Sequence, residues 1–265
     1  MQFDTILLEQ EDDIAVLKLN QPATRNGLTG QLQTEMMEAL DHVAQRDDVR
    51  ALILTGTGKA FCSGADLGWL DGTAPGSLGK MVAKVMEETS NPLILALQNL
   101  PVPVISAING ATAGAGLGIA LAADIAIAGR SAFFVSTFLP RLGAVPDMGT
   151  TLFLPQRIGR ARSMGMMLLG ERLPAEKAAE WGLIWSCVDD DALMDEARRI
   201  AHRLANTPSH AVTEARQALD KAAVQDIAAQ LEYEKERQRE LLDLPSFREG
   251  VQAFFEKREP VFRRT

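Results

Sequence analysis

Alternating strand and helix patterns followed by an almost wholly helical carboxyl-terminal part predict an α/β spiral for this chain of 265 residues. Three observations carry that expectation. Strand, strand and helix succeed one another as far as Ala128; two of the strands run into turns made of glycine, alanine and serine; and beyond Pro155 the apolar spacing is helical. Successive units of this kind bury their apolar faces by covering one another, which gives a spiral rather than an open doubly wound sheet. The length suffices for one substantial core with an appended helical part. The expected division is a spiral core over residues 1–200 and a helical region over 201–265.

Ile6 to Leu8 and Ile14 to Leu19 alternate like a hairpin whose turn is Glu11-Asp12-Asp13. Leu28 to Gln45 has helical spacing, with Thr29 as N-cap. Ala51 to Leu54 reads as a buried strand, Met81 to Leu97 as a helix, and Val102 to Ser106 as a strand. A buried helix follows at Leu117 to Ala123, then a strand at Ile125 to Ala128. The helical part comprises Arg160 to Leu169, Ala175 to Trp181, Asp191 to Asn206, His210 to Leu242 and Ser246 to Lys257, with Gly170, Pro208 and Pro245 as stops.

Composition narrows the function classes. Lys and Arg total 27 against 35 Asp and Glu, a net charge of −8 that disfavours a broad nucleic-acid footprint. Cys62 and Cys187 are the whole cysteine complement, too few for a disulfide framework and without metal-ligand spacing. The amino terminus has no positively charged leader and no stretch is an uninterrupted apolar span, so no membrane partner and a cytoplasmic location are expected. The longest apolar run, Ile105 to Ala128, is interrupted by Asn109, glycines and Asp124.

The chemistry concentrates in Asn109-Gly110-Ala111-Thr112-Ala113-Gly114-Ala115-Gly116-Leu117-Gly118, a small-residue loop running into a helix. Such a loop lets a ligand approach the main chain, and the first amides of a helix have no internal partner, so a developing oxyanion can be held there. A dinucleotide site fits badly. After Gly114 and Gly116 the third glycine would fall at Ile119, and no acidic residue closes a later strand. A second small-residue turn, Lys59-Ala60-Phe61-Cys62-Ser63-Gly64-Ala65-Asp66-Leu67, follows the apolar run Val49 to Leu54.

The two turns, with Asn20-Gln21-Pro22, Asn26 and Leu28 before them, Pro103 to Gly110 between them and Arg248 to Arg258 at the end, resemble the enoyl-CoA hydratase/isomerase (crotonase) family over nearly the whole chain. The resemblance implies a crotonase spiral of ββα units, shared with caseinolytic-type peptidases, and an acyl-CoA thioester substrate with no separate cofactor. It also implies a homotrimer or a hexamer built as a dimer of trimers. Carried over by position, the oxyanion donors are the backbone amides of Ala65 and Ala115. Substrate and CoA contacts fall on Arg25, Lys59, Ser63, Gly64, Asp66, Leu67, Gly114, Phe138, Phe254 and Lys257, the last two on a terminal helix that in relatives reaches CoA from a neighbouring subunit. Asp66 and Asp124 each follow a small-residue run where a local backbone hydrogen bond also accounts for them.

Hydratases of the family use two glutamates, whose positions here hold Gly118 and either Phe138 or Leu139, because Phe134 to Gly143 is one residue longer than usual. The isomerase branch has an aspartate at the place of Asp147, within Val145-Pro146-Asp147-Met148-Gly149-Thr150. Apolar neighbours should raise its pKa toward the working range; the lesser alternative is that the residue caps the turn after Pro146. Asn91-Pro92-Leu93, Gly159 to Gly165 and Glu180 to Trp185 draw the resemblance closer to the 1,2-epoxyphenylacetyl-CoA isomerases of phenylacetate breakdown, which resemble 3,2-enoyl-CoA isomerases in mechanism. A double-bond or epoxide isomerase of fatty-acid or phenylacetate catabolism is therefore expected; a hydratase using another acid, or a CoA-binding paralogue without chemistry, is the alternative. A serine peptidase is disfavoured, since His42, His202 and His210 lie in or beside helical patterns away from Ser63 and Ser106.

Overall fold

The structure is a computed structural model and describes residues 2–66, 68 and 77–262. β1 (Ile6–Glu11) and β2 (Ile14–Leu19) form the antiparallel hairpin, with Ile6 opposite Leu19 and Glu11 opposite Ile14. In α1 (Gly30–Ala44) the Thr29 hydroxyl accepts from Leu32 N at 3.1 Å, and Leu32, Met36, Ala39, Leu40 and Val43 bury one helical face. Three strand pairs then build the spiral. β3 (Ala51–Gly56) leads to β4 (Ala60–Cys62); after α2 (Leu78–Val85) and α3 (Asn91–Asn99), β5 (Val104–Ile108) leads to β6 (Ala111–Ala113); after α4 (Ala115–Leu121), β7 (Ile125–Gly129) leads to β8 (Phe133–Val135). α5 (Thr150–Leu169), β9 (Leu173–Pro174), α6 (Ala175–Trp181), β10 (Ser186–Val188) and α7 (Leu193–Ala205) complete the core. α8 (Ala211–Ala222), α9 (Ile227–Leu241) and α10 (Pro245–Glu256) follow.

The first strand of each pair joins a large sheet ordered β1-β2-β3-β5-β7-β10, parallel from β2 onward; the second joins a small sheet ordered β4-β6-β8-β9. The inner strands β2, β3, β5 and β7 are covered on both faces, which explains why they read as continuous apolar runs. On one face Ile14, Val16, Ile53, Ile105 and Ile127 pack on Leu193, Ala197, Ile200 and Ala201 of α7. On the other, Ala15, Leu17, Leu52, Leu54 and Ile108 join the main core with α1, α3 and α4. Packing on the sheet continues through position 200 to Ala205 at the end of α7. Arg216 then fastens α8 to the core, pairing with Asp124 at 2.6 Å and donating to the carbonyls of Leu100 and Val102.

Two helical expectations need correction. Met81 to Leu97 is not one helix: a π turn at Met86–Ser90 separates α2 from α3, and Pro92 lacks the amide that a regular helix would need there. His210 to Leu242 is likewise two helices, because Asp226 accepts from Ala229 N at 2.9 Å and starts α9 afresh. The helix expected from Arg160 to Leu169 is present: Gly159, at φ 73° and ψ 165°, breaks α5 just before it, and the turns from Thr150 to Ile158 add a helical stretch that was not expected.

Candidate active site

The small sheet places the two glycine turns side by side. β4 and β6 are parallel neighbours; Gly64 lies just beyond the end of the first, Gly114 directly follows the second, and they have φ of 95° and 53°. At Gly114, ψ is −127°, a backbone conformation open to glycine alone among ordinary residues. A methyl group placed on Gly64 would lie 3.4 Å from Ala115 N, and one on Gly114 would lie 3.7 Å from Gly64 Cα, so the turns meet backbone to backbone. Ala115 opens α4, and neither its amide nor that of Ala65 donates to any group among the described residues. Two free amides thus stand on turns that meet backbone to backbone, a pairing able to stabilise an oxyanion.

Hydrogen bonds from the Asn20–Leu28 segment hold the first turn. Leu28 N donates to Gly64 O at 2.8 Å, Asp66 N to Leu28 O at 3.2 Å, and Ser63 N to Arg25 O at 3.0 Å. The Ser63 hydroxyl donates to Thr24 O at 3.2 Å. Asn26, fully buried, is the clamp: its amide nitrogen donates to the carbonyls of Thr57, Ala60 and Phe61, and its oxygen accepts from Gln21 N at 2.8 Å. Sequence reading marked Asn26 without giving it this task. A polar residue amid turn-forming neighbours is an ambiguous signal until the carbonyls it gathers are seen.

Gly118 faces the loop that carries Asp147. A Cβ there would lie 2.2 Å from the Met148 carbonyl oxygen and 2.5 Å from Met148 Cβ, so no side chain fits. Phe138, also buried, brings its ring edge to 4.0 Å from the point where a Gly114 Cβ would stand. It begins a π turn, Phe138–Leu142, closed by Gly143 N on Phe138 O.

Asp147 is half-buried between Pro146 and Met148, both buried. Its Oδ1 is enclosed and has no hydrogen-bond partner. Burial pushes its pKa up to about 6. The capping alternative is corrected by the geometry. α5 starts after Gly149 with no side-chain cap, and Asp147 contributes its carbonyl, accepting from Thr150 N at 3.0 Å. The carboxyl group is left free for chemistry. The buried Cys62 thiol is pushed up to about 12 by desolvation, which leaves it protonated and inert.

The remaining sequence-derived residues divide by location. Arg25 and Lys59 are exposed beside the first turn. The Asp66 carboxylate accepts from Gly68 N at 2.9 Å, and Asp124 accepts from Val104 N at 2.7 Å. Leu67 lies outside the described residues. Phe254 and Lys257 are exposed at the end of α10; Phe254 lines a cavity of about 550 Å³ with Leu241, Phe247 and Phe262, away from the glycine turns within this chain.

The family model for enoyl-CoA hydratase/isomerase matches residues 9–265. The chain belongs to the enoyl-CoA hydratase/isomerase family. It is 43% identical over 260 residues to the 1,2-epoxyphenylacetyl-CoA isomerase of Escherichia coli K12, covering 97% of each chain. It is also 43% identical over 262 residues to a probable enoyl-CoA hydratase of Rhodobacter capsulatus, covering 99% of each. The crystal structure of an enoyl-CoA hydratase from Bacillus anthracis superposes with a TM-score of 0.90 at 31% identity, over 98% of this chain and 99% of that one.

The crotonase fold and enzymatic character follow for this family member. Similarity to an isomerase and to a probable hydratase is equal in extent, so overall identity does not separate the two activities. In this enoyl-CoA hydratase/isomerase Phe138 stands beside Gly114, and Gly118 abuts the loop that carries Asp147.

Proposed function

We propose that this enzyme is an acyl-CoA isomerase with a single carboxyl acid/base, Asp147. The observation that carries the reading is the enclosed, unpartnered Oδ1 of Asp147, whose pKa of about 6 suits a group that both takes and returns a proton near neutrality. The thioester carbonyl accepts from Ala65 N and Ala115 N. Asp147 removes a C2 proton from a 3-enoyl-CoA, the paired amides hold the dienolate, and the same carboxyl group returns the proton at C4 to give the conjugated 2-enoyl-CoA. Epoxide rearrangement of 1,2-epoxyphenylacetyl-CoA, the reaction named for the Escherichia coli relative, draws on the same oxyanion site. Either reaction serves the catabolism of fatty acids or phenylacetate.

Arg25 and Lys59 supply positive charge to the CoA phosphates, and no cofactor besides the CoA of the substrate takes part. In a trimer, or a hexamer of paired trimers, Phe254 and Lys257 on α10 reach the CoA of a neighbouring subunit. Exposure of Phe247, Phe254 and Phe255 on that helix supports an assembly in which this face is covered. Purified enzyme and its Asp147→Asn variant, incubated with 3-hexenoyl-CoA, test the reading by absorbance and mass of the conjugated product. Wild type should shift the double bond without gaining water, and the variant should lose about 10²-fold or more. Water addition to crotonyl-CoA, with no double-bond shift, would instead assign the hydratase activity of the Rhodobacter capsulatus relative.

A further inference from the structure

Thr137 stands between β8 and the π turn, at φ −96° and ψ −6°, and its side chain caps nothing. Its hydroxyl makes no hydrogen bond to a described residue, and the residue is half-buried. The hydroxyl oxygen lies 3.2 Å from the point where a Cβ on Gly114 would stand, and the Phe138 ring edge lies 4.0 Å from that same point. A hydroxyl and an aromatic edge therefore flank the residue that precedes the Ala115 amide. Nothing in the fold needs this hydroxyl, since it neither caps a helix nor joins two elements.

In the free protein water satisfies such a group. A purely hydrocarbon acyl group covering it would strip that water and leave the hydroxyl without a partner, whereas an acyl group carrying an oxygen would replace it. We infer that Thr137 is a specificity-determining residue: its hydroxyl bonds an oxygen on the acyl group, so the site prefers oxygen-bearing acyl-CoA thioesters to plain hydrocarbon ones. This rests on reading the Gly64 and Gly114 turns as the thioester site.

Binding rather than turnover tests it, with two thioesters that carry no isomerisable bond. Dissociation constants for phenylacetyl-CoA and 2-hydroxyphenylacetyl-CoA are measured by calorimetry on wild type, Thr137→Val and Thr137→Ser. Wild type should bind the hydroxylated thioester about tenfold more tightly. The valine variant, which keeps the shape and loses the hydroxyl, should bring the ratio near one, and the serine variant should restore most of it. Equal affinities in wild type, or a valine variant that weakens both thioesters alike, would overturn the assignment of Thr137. Failure of wild type to bind either thioester would overturn the thioester site itself, a result distinct from the other two.

Discussion

Replacing Asp147 by asparagine should make the protein more stable and less active at the same time. In the fold the carboxyl group has a pKa of about 6, raised by desolvation, against about 3.9 for an aspartate in an unfolded chain. Two units correspond to about 3 kcal/mol. The sign follows from proton counting. Between about pH 4 and pH 6 the folded state holds a proton that the unfolded chain has released, so stability falls as pH rises through this window. Above about pH 6 the whole cost of the buried charge is present.

Asparagine has nearly the same shape and no charge. At about pH 8 the variant should therefore exceed wild type by up to about 3 kcal/mol, with the gap closing toward pH 4. Urea unfolding at matched protein concentration, followed at several pH values, reads this difference. A variant no more stable than wild type at pH 8, or a gap that ignores acidification, would refute desolvation as the cause of the raised pKa. In the proposed mechanism the wild-type kcat/KM for 3-hexenoyl-CoA should rise with pH through about 6, as the base form appears.

Gly118→Glu should not create a hydratase: with the Met148 carbonyl 2.2 Å from the new Cβ, the loop bearing Asp147 must move, so isomerisation should fall and stability drop by about 2 kcal/mol, read by product analysis and unfolding. Asn26→Ala leaves Gln21 N and three carbonyls without their clamp and should cost about 3 kcal/mol, seen as a lowered Tm together with weaker CoA-thioester binding. Phe254→Asp places a charge on the exposed apolar face of α10 and should shift sedimentation toward monomer with helix content retained; unchanged assembly would put the subunit interface elsewhere.

The inner strands of the large sheet were legible because they are buried on both faces and so read as apolar runs, as in Ile14–Leu19 and Ala51–Gly56, whereas the short, half-buried edge strand Ser186–Val188 gave no such run. The small sheet was not. Ala111-Thr112-Ala113 is too short and too poor in large apolar side chains to show a period, yet its pairing with β4 is what brings Gly64 to Gly114. Asp147 stood out by its apolar neighbours, but only the fold distinguishes a free carboxyl group from a helix cap. Thr137 carried no signal in sequence; an isolated threonine after a strand has no pattern to match. Break points such as Pro92 and Asp226 were visible residues whose local effect was outweighed, in the reading, by helical spacing on either side.

The contact between Gly118 and Met148 links the absence of one acid to the presence of another. Met148 adopts φ 51°, a left-handed conformation that a side chain makes unfavourable, and its carbonyl presses on α4 where only a glycine leaves room. Glycine at 118 lets the loop come down, and the descended loop places the Asp147 carboxyl group in its enclosed position. A glutamate at 118 and this placement of Asp147 are therefore mutually exclusive on steric grounds. In the proposed mechanism the proton carrier comes from the loop that abuts the helix at Gly118, and the place of the second acid falls on Phe138 or Leu139. Exchanging activities would thus require rebuilding Val145 to Gly149, since a substitution at 118 alone removes one acid without positioning another.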